Sequence, residues 1–271
     1  MKVIGVIPSR LGSTRLPEKP LKDIDGKTLV QRVWDAASQA RSLTECVIAT
    51  DSDEILRHVE SFGGRAVMTS PDHGTGSERV LAAARLAASP EGKPGAENQW
   101  DLILNIQGDM PLLPPSVIDR LVGFLAERRG DFQMATIATP IESEEQFLSR
   151  SVVKVVISAR GEGLYFSRAP IPFPRDEDGK RTLAAPTADG FAYGFKHLGL
   201  YAFTPQALLA YEKPDFTPLE KVEKLEQLRV LEHGNRIGVL PIESQTLSES
   251  VEVDTPEDLA RAAEIFRRRR G

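Results

Sequence analysis

The chain has 271 residues, 41% of them hydrophobic and 27% charged, with a net charge of −5. This describes a soluble globular protein long enough to bury a sizeable core, as one large α/β domain or one domain with a substantial insertion, and it argues against general nucleic-acid binding. No apolar run is long enough to span a bilayer, no signal peptide precedes the first apolar run, and the single cysteine excludes an intramolecular disulfide or a cysteine-built zinc site and fits a reducing cytoplasm.

Val3–Ile7 reads as a buried strand. The loop after it gathers Arg10, Arg15 and Lys19 among Gly12, Ser9, Ser13, Thr14 and the prolines Pro8, Pro17 and Pro20. Proline stiffens such a loop and glycine allows close backbone approach. Cations this dense repel one another unless an anion sits among them. After the first strand of an α/β chain that anion is most often a nucleotide phosphate, although a solvated basic loop is the competing account. The pattern is neither G-x-G-x-x-G nor a P-loop, which disfavours a dinucleotide site and a Walker ATPase.

Asp25-Gly26-Lys27 marks a turn, and Thr28 can cap a helix carrying Leu29, Val30, Val33, Ala36, Ala37 and Ala40 at helical spacing. A strand at 45–49 holds Cys46, read as a core residue and not a nucleophile. A helix through Phe62 closes at Gly63-Gly64, and Ala66–Met68 forms a third strand. This alternation predicts a parallel sheet with helices on both faces, so ligands belong beyond the strand ends, at Pro8, Thr50 and Thr69 onward. The third exit runs from Asp72 to Arg79 into a helix over Val80–Ala88. Its glycines, hydroxyls and Arg79 suit a ribose, base or phosphate, and a plain capped turn explains them equally well in isolation. Ser89–Gln99 reads as a surface connection tolerant of change.

Residues 101–106 make the central strand and exit into Gln107-Gly108-Asp109-Met110. A carboxylate there can hold a hard divalent cation. Helix capping is the poorer account of Asp109, because Pro111, Pro114 and Pro115 delay the next helix, 115–127. A strand at Gln133–Ala138 completes this half. Residues 152–157, 163–168 and 195–203 are then extended with no helix between them, predicting antiparallel or mixed pairing as an insertion. Alternation puts His197 and Tyr201 on one face, and Arg168 and Lys154 on neighbouring strands would complete a surface for carboxylates and hydroxyls. The loop from Pro170 to Gly194 is long enough for a lid or a dimer contact.

Leu219–His233 reads as one amphipathic helix with a stripe of Leu219, Val222, Leu225 and Leu228. It carries Glu226 and Gln227 and is stopped by Gly234. Ile237–Ile242 is a return strand. A strand end at 251–253 opens the last helix, with Thr255 or Asp254 as cap and Pro256 in its first position. Arg267–Arg270 read as a solvated tail.

Taken together, the motifs resemble one family. Ser9-Arg10, Ser13-Thr14-Arg15-Leu16-Pro17 and Lys19-Pro20-Leu21 look like the signature of the cytidylyltransferases that activate acidic sugars with CTP. Ala49-Thr50-Asp51, His73 to Arg79 and Gln107-Gly108-Asp109 match in order. Leu164-Tyr165-Phe166-Ser167-Arg168, His197 to Tyr201, Leu225-Glu226-Gln227-Leu228-Arg229 and Val253-Asp254-Thr255-Pro256-Glu257-Asp258-Leu259 resemble its 3-deoxy-manno-octulosonate (Kdo) branch, the CMP-Kdo synthetases, essentially end to end. The sialic-acid branch lacks the Tyr-Phe-Ser-Arg and Leu-Glu-Gln-Leu-Arg segments.

The resemblance implies a Rossmann-like three-layer α/β sandwich with a mostly parallel central sheet and a smaller antiparallel or mixed β insertion. It implies a single domain over 1–271, with 150–215 as a β-rich sugar-binding and dimerisation subregion. It implies CTP and Kdo as substrates, CMP-Kdo and diphosphate as products for lipopolysaccharide biosynthesis, Mg2+ as cofactor, and a cytoplasmic homodimer without membrane insertion. Carried over by position, Pro8, Arg10, Ser13, Arg15, Lys19, Ser77, Arg79 and Gln107 would hold CTP. Asp109 and Asp254 would share the metal and, with Arg10 and Lys19, carry the catalysis. Gln107, Arg168, His197, Tyr201, Glu226 and Gln227 would hold the sugar. The chain departs from the family at Leu11-Gly12, at Glu18 where glycine is usual, at Met110 where Glu or Gln is usual, and over 175–194. Competing readings are a cytidylyltransferase for 8-amino-Kdo or a sialic acid, and a silent nucleotide-binding regulator. Retention of both carboxylates and all three loop cations speaks against the regulator.

Overall fold

The computed structural model describes residues 1–12, 16–173, 194–212 and 216–270. Expectations placed on Ser13, Arg15 and most of the 175–194 loop therefore lie outside the described residues. The chain opens with β1 (Val3–Ser9), a short 3-10 turn at Lys19–Leu21, and the two-residue strands β2 (Asp23–Ile24) and β3 (Lys27–Thr28). Then come α1 (Leu29–Ala37), β4 (Glu45–Thr50), α2 (Asp53–Ser61), β5 (Ala66–Met68), α3 (Gly76–Ala88) and β6 (Leu102–Asn105). The middle comprises α4 (Pro115–Glu127), β7 (Met134–Pro140), α5 (Glu144–Leu148), β8 (Lys154–Ile157), β9 (Gly163–Ser167), β10 (Phe195–Phe203) and α6 (Pro205–Leu208). The chain closes with α7 (Pro218–Glu223), α8 (Leu228–Glu232), β11 (Ile237–Pro241) and α9 (Pro256–Arg270). Thr28, Ser52 and Thr75 cap α1, α2 and α3 with their hydroxyls, so these helix starts follow from side-chain chemistry.

Among the described residues, one sheet runs β11-β7-β10-β6-β1-β4-β5, with β8 joined to β10 and β9 to β8. β4, β1 and β6 are parallel neighbours, whereas β10 lies antiparallel between β6 and β7. The chain winds from β1 outward to β4 and β5, then returns to place β6 on the other side of β1. That reversal opens a crevice at the exits of β1 and β6, where open α/β sheets bind ligands. Two apolar clusters cover the two faces: α1, α2, α4 and α9 pack on one, α3, α6 and α8 on the other. This is the expected three-layer sandwich with a small antiparallel annex.

Several sequence expectations change. α3 begins at Gly76, not Val80, because Thr75 supplies the cap, so Ser77 and Arg79 sit in its first turn. Within Ser89–Gln99, Glu97 is buried and holds Arg85 at 2.7 Å, so that connection is anchored and not freely variable. No strand forms at 251–253. The arginine tail is not free: Arg268 and Arg269 pair with Glu249, and Arg270 pairs with Asp25. Cys46 packs against the core, and burial pushes its thiol up to about 12, which keeps it inert.

The largest correction concerns 219–233, where Lys224 adopts a left-handed conformation (φ 55°) and breaks the expected helix into α7 and α8. Leu225 and Leu228 are buried, but Val222 is 80% exposed and Leu219 is also exposed. The apparent stripe belongs to two helices with different orientations. A fully buried ion pair holds the break in place, Arg229 Nη2 to Glu220 Oε1 at 2.8 Å, with the guanidinium stacked on Tyr211 and Phe216.

Candidate active site

The β1 exit carries Pro8, Ser9 and Arg10 into a cleft of about 540 Å³ that also contains Gly12, Lys19, Gln107, Asp109, Glu226 and Asp254. Gly108 is required here. A Cβ on it would lie 2.7 Å from the Pro8 carbonyl oxygen, so only glycine lets the β6 exit pass this close to β1. Arg10 is exposed and makes no hydrogen bond or ion pair with any described residue, leaving its charge available to a ligand.

Asp109 and Asp254 meet through two local devices. The Val253 N–H donates to the Asp109 carbonyl at 2.8 Å, tying the segment before α9 to the β6 exit. Thr255 and Asp258 form the cap of α9, with Asp258 accepting from the N–H groups of Asp254 and Thr255 and Thr255 Oγ1 accepting from Asp258 N–H. The cap is thus Thr255, which leaves the Asp254 carboxylate for the cleft. Lys19 Nζ lies between the two carboxylates, 3.0 Å from Asp109 Oδ2 and 2.9 Å from Asp254 Oδ1. Burial alone would lower the Lys19 pKa, but the two carboxylates outweigh it and raise it.

This donor set suits a hard divalent cation. It offers two carboxylates, already drawn around a positive charge, beside a cleft with room for oxygen ligands from water or phosphate. Among the described residues no cluster of three or more His, Cys, Asp or Glu side chains surrounds the point, so a metal would need such outside ligands.

A second cleft of about 630 Å³ shares Gln107, Asp109, Glu226 and Asp254 with the first, and adds Arg168, Lys196, His197, Tyr201, Gln227 and Glu252. Its back wall is β10, which carries a bulge against β7. From Leu198 to Tyr201 β10 advances three residues while β7 advances one, so two extra residues are accommodated. An even number preserves alternation, and the His197 and Tyr201 rings stand 5.4 Å apart on one face as predicted. Gly199 sits in the bulge because Gln107 packs there, donating to the Gly199 carbonyl at 2.8 Å. A Cβ on residue 199 would come within 3.0 Å of that side chain.

Tyr201 donates to Gln227 Oε1 at 3.1 Å, and His197 Nε2 meets Thr136 Oγ1 at 3.0 Å. Burial pushes His197 down to about 3, so it is a neutral imidazole, and burial beside Glu226 raises Tyr201 well above its ordinary range. Burial also raises Glu226, against the hydrogen bonds it accepts from Ser77 Oγ at 2.9 Å and Ser77 N–H at 3.4 Å. The helix break therefore puts Glu226 where the two clefts meet and Gln227 on the wall of the second. Arg168 is fixed by its Nε donating to the Glu223 carbonyl and its N–H to the Glu223 carboxylate, which leaves Nη2 unbonded among the described residues.

Not every predicted residue reaches a cleft. Arg79 is 1% exposed, and its guanidinium is taken by Asp51 at 2.8 Å and Thr69 at 2.6 Å; it braces the strand exits instead of facing a ligand. Ser77 is fully buried and spends its hydroxyl on Glu226. Lys154 turns inward, donating to the carbonyls of Ser149, Val152 and Arg168, so it does not join the surface expected for carboxylates and hydroxyls. Sequence reasoning missed Asn105, Lys196 and Glu252, although Asn105 was visible as a polar residue inside an aliphatic strand. Met110, at a position expected to be polar, is 2% exposed and packs in the core.

A crevice at the exits of β1 and β6, lined by cations and by two facing carboxylates, defines a nucleotidyltransferase-type α/β fold and site. A family model described as Cytidylyltransferase matches residues 4–237. The chain belongs to the cytidylyltransferase family. It is 43% identical over 264 residues to the 3-deoxy-manno-octulosonate cytidylyltransferase of Geobacter sulfurreducens, covering 97% of this chain and 99% of that protein. It is 40% identical over 259 residues to the 8-amino-3,8-dideoxy-manno-octulosonate cytidylyltransferase of Shewanella sp. strain W3-18-1, covering 96% of each. The solved structure of CMP:2-keto-3-deoxy-manno-octonic acid synthetase complexed with CTP superposes with a TM-score of 0.83 at 32% identity, covering 99% of this chain and 100% of that one. Nucleotidyltransferases of this kind generally use a divalent metal. No helix among the described residues is long and apolar enough to cross a membrane.

Proposed function

We propose that this chain joins CTP and Kdo to give CMP-Kdo and diphosphate, with Mg2+. The observation that supports this most is the meeting of a cation-bearing cleft and a polar, arginine-bearing cleft at Asp109 and Asp254, the two carboxylates that Lys19 holds from the first cleft. The anomeric hydroxyl oxygen of the sugar bonds to the α-phosphorus. The bond from that phosphorus to the bridging oxygen breaks, diphosphate departs, and the hydroxyl proton passes to solvent.

Both substrates are anionic, so the residues chiefly offset repulsion and fix geometry. Arg10, with Arg15, Ser13 and Lys19 of the same loop, holds the triphosphate. The Pro8 backbone and Gln107 border the nucleotide, while Ser77 and Arg79 support it from behind through Glu226 and Asp51. Asp109 and Asp254 would hold Mg2+, whose charge, when bound, lowers the pKa of the attacking hydroxyl and neutralises the α-phosphate. Arg168 pairs with the sugar carboxylate through Nη2, the guanidinium nitrogen that the described residues leave unbonded. Tyr201, Gln227 and Glu226 bond its hydroxyls. Neutral His197 offers a ring nitrogen without adding charge. Exposed Leu164 and Phe173, within 150–215, support this subregion as the surface of a homodimer. A cytoplasmic location for lipopolysaccharide synthesis accords with the reduced, inert cysteine.

Diphosphate release measured with CTP and a panel of Kdo, 8-amino-Kdo and a sialic acid tests the reading. Kdo should give the highest kcat/KM. A strong preference for 8-amino-Kdo would move the assignment to that sugar, a reading favoured by the 40% identity to enzymes named for it. CTP binding with no turnover of any sugar would overturn the enzyme reading in favour of a nucleotide-binding regulator.

A further inference from the structure

The mechanism leaves one buried polar side chain at the site unused. On β6, Leu102 and Leu104 join one core cluster and Ile103 the other, so alternation places residue 105 under α3 with Ile103. That residue is Asn105, 1% exposed, set between Val6 of β1 and Tyr201 of β10. Neither its Oδ1 nor its Nδ2 has a hydrogen-bond partner among the described residues. Both ends of the amide are orphaned, so this holds for either orientation of the amide. Buried polar groups are almost always paired, and one at a cleft that lacks partners in the chain is positioned for a ligand. Asn105 lines the nucleotide cleft and is absent from the lining of the sugar cleft.

The chemistry narrows what it can bind. Oδ1 needs a donor and Nδ2 needs an acceptor. A triphosphate only accepts, and a metal satisfies only the oxygen, so neither can serve both ends. A ligand edge that donates and accepts side by side can, and CTP has two: the 4-amino and N3 edge of cytosine, and the ribose hydroxyls. Asn105 is also more buried than Lys19, Asp109 or Asp254, so it lies deeper in the cleft than the charged groups do. Gly76 lies directly over it. A Cβ there would be 3.5 Å from Nδ2, so a larger residue would close on the amide.

We propose that Asn105 recognises the nucleoside of CTP, its carboxamide pairing with a donor–acceptor edge of the cytidine. The inference rests on the CTP reading above. The test compares wild type, Asn105→Leu, which keeps the size and removes both polar atoms, and the smaller Asn105→Ser. CTP binding is measured by calorimetry without sugar, KM is measured for each substrate, and melting temperature is measured without ligand. Asn105→Leu should weaken CTP binding and raise its KM at least tenfold, leave the sugar KM within about twofold, and melt no lower than wild type, because an orphaned amide has been replaced by an apolar group.

UTP and 2′-deoxy-CTP separate the two edges. Loss of the CTP-over-UTP preference assigns the amide to the base, and loss of the CTP-over-2′-deoxy-CTP preference assigns it to the ribose. A lower melting temperature with unchanged CTP affinity would mean a structural asparagine satisfied by water, and the proposal would fall. Should Asn105→Leu not fold, Asn105→Ser and the side-chain amide resonance of Asn105 in wild type decide the matter. That resonance should move with cytidine and stay with inorganic tripolyphosphate; the opposite pattern refutes the idea. Wild type that binds CTP but turns over no sugar would instead fail the Proposed function and leave this binding test standing.

Discussion

Lys19→Met removes the ammonium between Asp109 and Asp254 while keeping the length of the side chain. The side chains of Lys19, Asp109 and Asp254 are 15%, 27% and 31% exposed, so the two carboxylates can partly rehydrate once the cation has gone. Hydrogen bonds to charged groups contribute about 1.5–3 kcal/mol each, and rehydration favours the lower part of that range, giving a loss of about 3–4 kcal/mol for the pair. The sign is supported by Lys19 itself: burial works against its charge, yet the carboxylates still raise its pKa, so attraction exceeds desolvation. For a chain of this size the loss corresponds to a melting temperature lower by roughly 5–15 °C.

The assay is thermal unfolding in EDTA, then in rising magnesium chloride. The variant should melt early in EDTA and recover most of the difference in magnesium, because a divalent cation supplies the missing charge to the same carboxylates. Wild type should respond less, since Lys19 competes for them. Equal melting temperatures in EDTA, or equal rescue by potassium at the same concentration, would refute the argument.

Asp109→Asn and Asp254→Asn should each abolish CMP-Kdo formation with the fold retained, and each should lower the melting temperature by about half as much as Lys19→Met, since each removes one of the two charged partners of Lys19; near-normal turnover in either would overturn the metal assignment. Arg168→Ala should raise the sugar KM at least tenfold and the CTP KM little, and equal losses for both substrates would remove Arg168 from the sugar carboxylate. His197 is held neutral, with its pKa near 3, whereas an unfolded histidine titrates near about 6.5. The unfolded chain therefore takes up this proton first, and stability present above about pH 6.5 is lost as the pH falls towards 3, at up to about 1.4 kcal/mol per pH unit. In urea melts from about pH 4 to 6, His197→Asn should show a slope one proton shallower, and an unchanged slope would place the titration elsewhere. Glu18 has φ 53°, which costs a non-glycine residue about 1 kcal/mol, and among the described residues its exposed carboxylate reaches only Lys22, at 3.6 Å. Glu18→Gly should hold stability or raise it by up to about 1 kcal/mol, allowing for the added freedom of the unfolded chain, with activity retained. A marked fall in kcat/KM would show that this carboxylate takes part in the site.

Local signals carried most of the fold. Caps at Thr28, Ser52 and Thr75, aliphatic strands of four to seven residues and closing glycines made the α/β alternation legible, because each element is specified by residues that touch one another. The failures share a cause. Leu219 to Leu228 satisfied helical spacing, yet the buried Arg229–Glu220 pair and the left-handed Lys224 override it, and both depend on partners that periodicity does not reveal. Arg79 and Lys154 were visible as cations, but a sequence does not show that Asp51 and three backbone carbonyls had already engaged them.

The same contrast explains Asp254 and Glu18. By local pattern Asp254 was as good a helix cap as Thr255, and only the family resemblance raised it above that. The structure supplies the physical reason: Thr255 and Asp258 complete the cap between them, and one backbone bond from Val253 to Asp109 carries the Asp254 carboxylate to the end of β6. Glu18 gave the opposite impression, a carboxylate set among phosphate-binding cations. Its position demands a left-handed backbone, which is what glycine would supply, and its side chain leaves the cleft for Lys22. A charge in a binding loop therefore counts towards the site only after the backbone has decided where it points. By that measure Lys19, turned inward onto both carboxylates, belongs to the site and Glu18, its neighbour in sequence, does not.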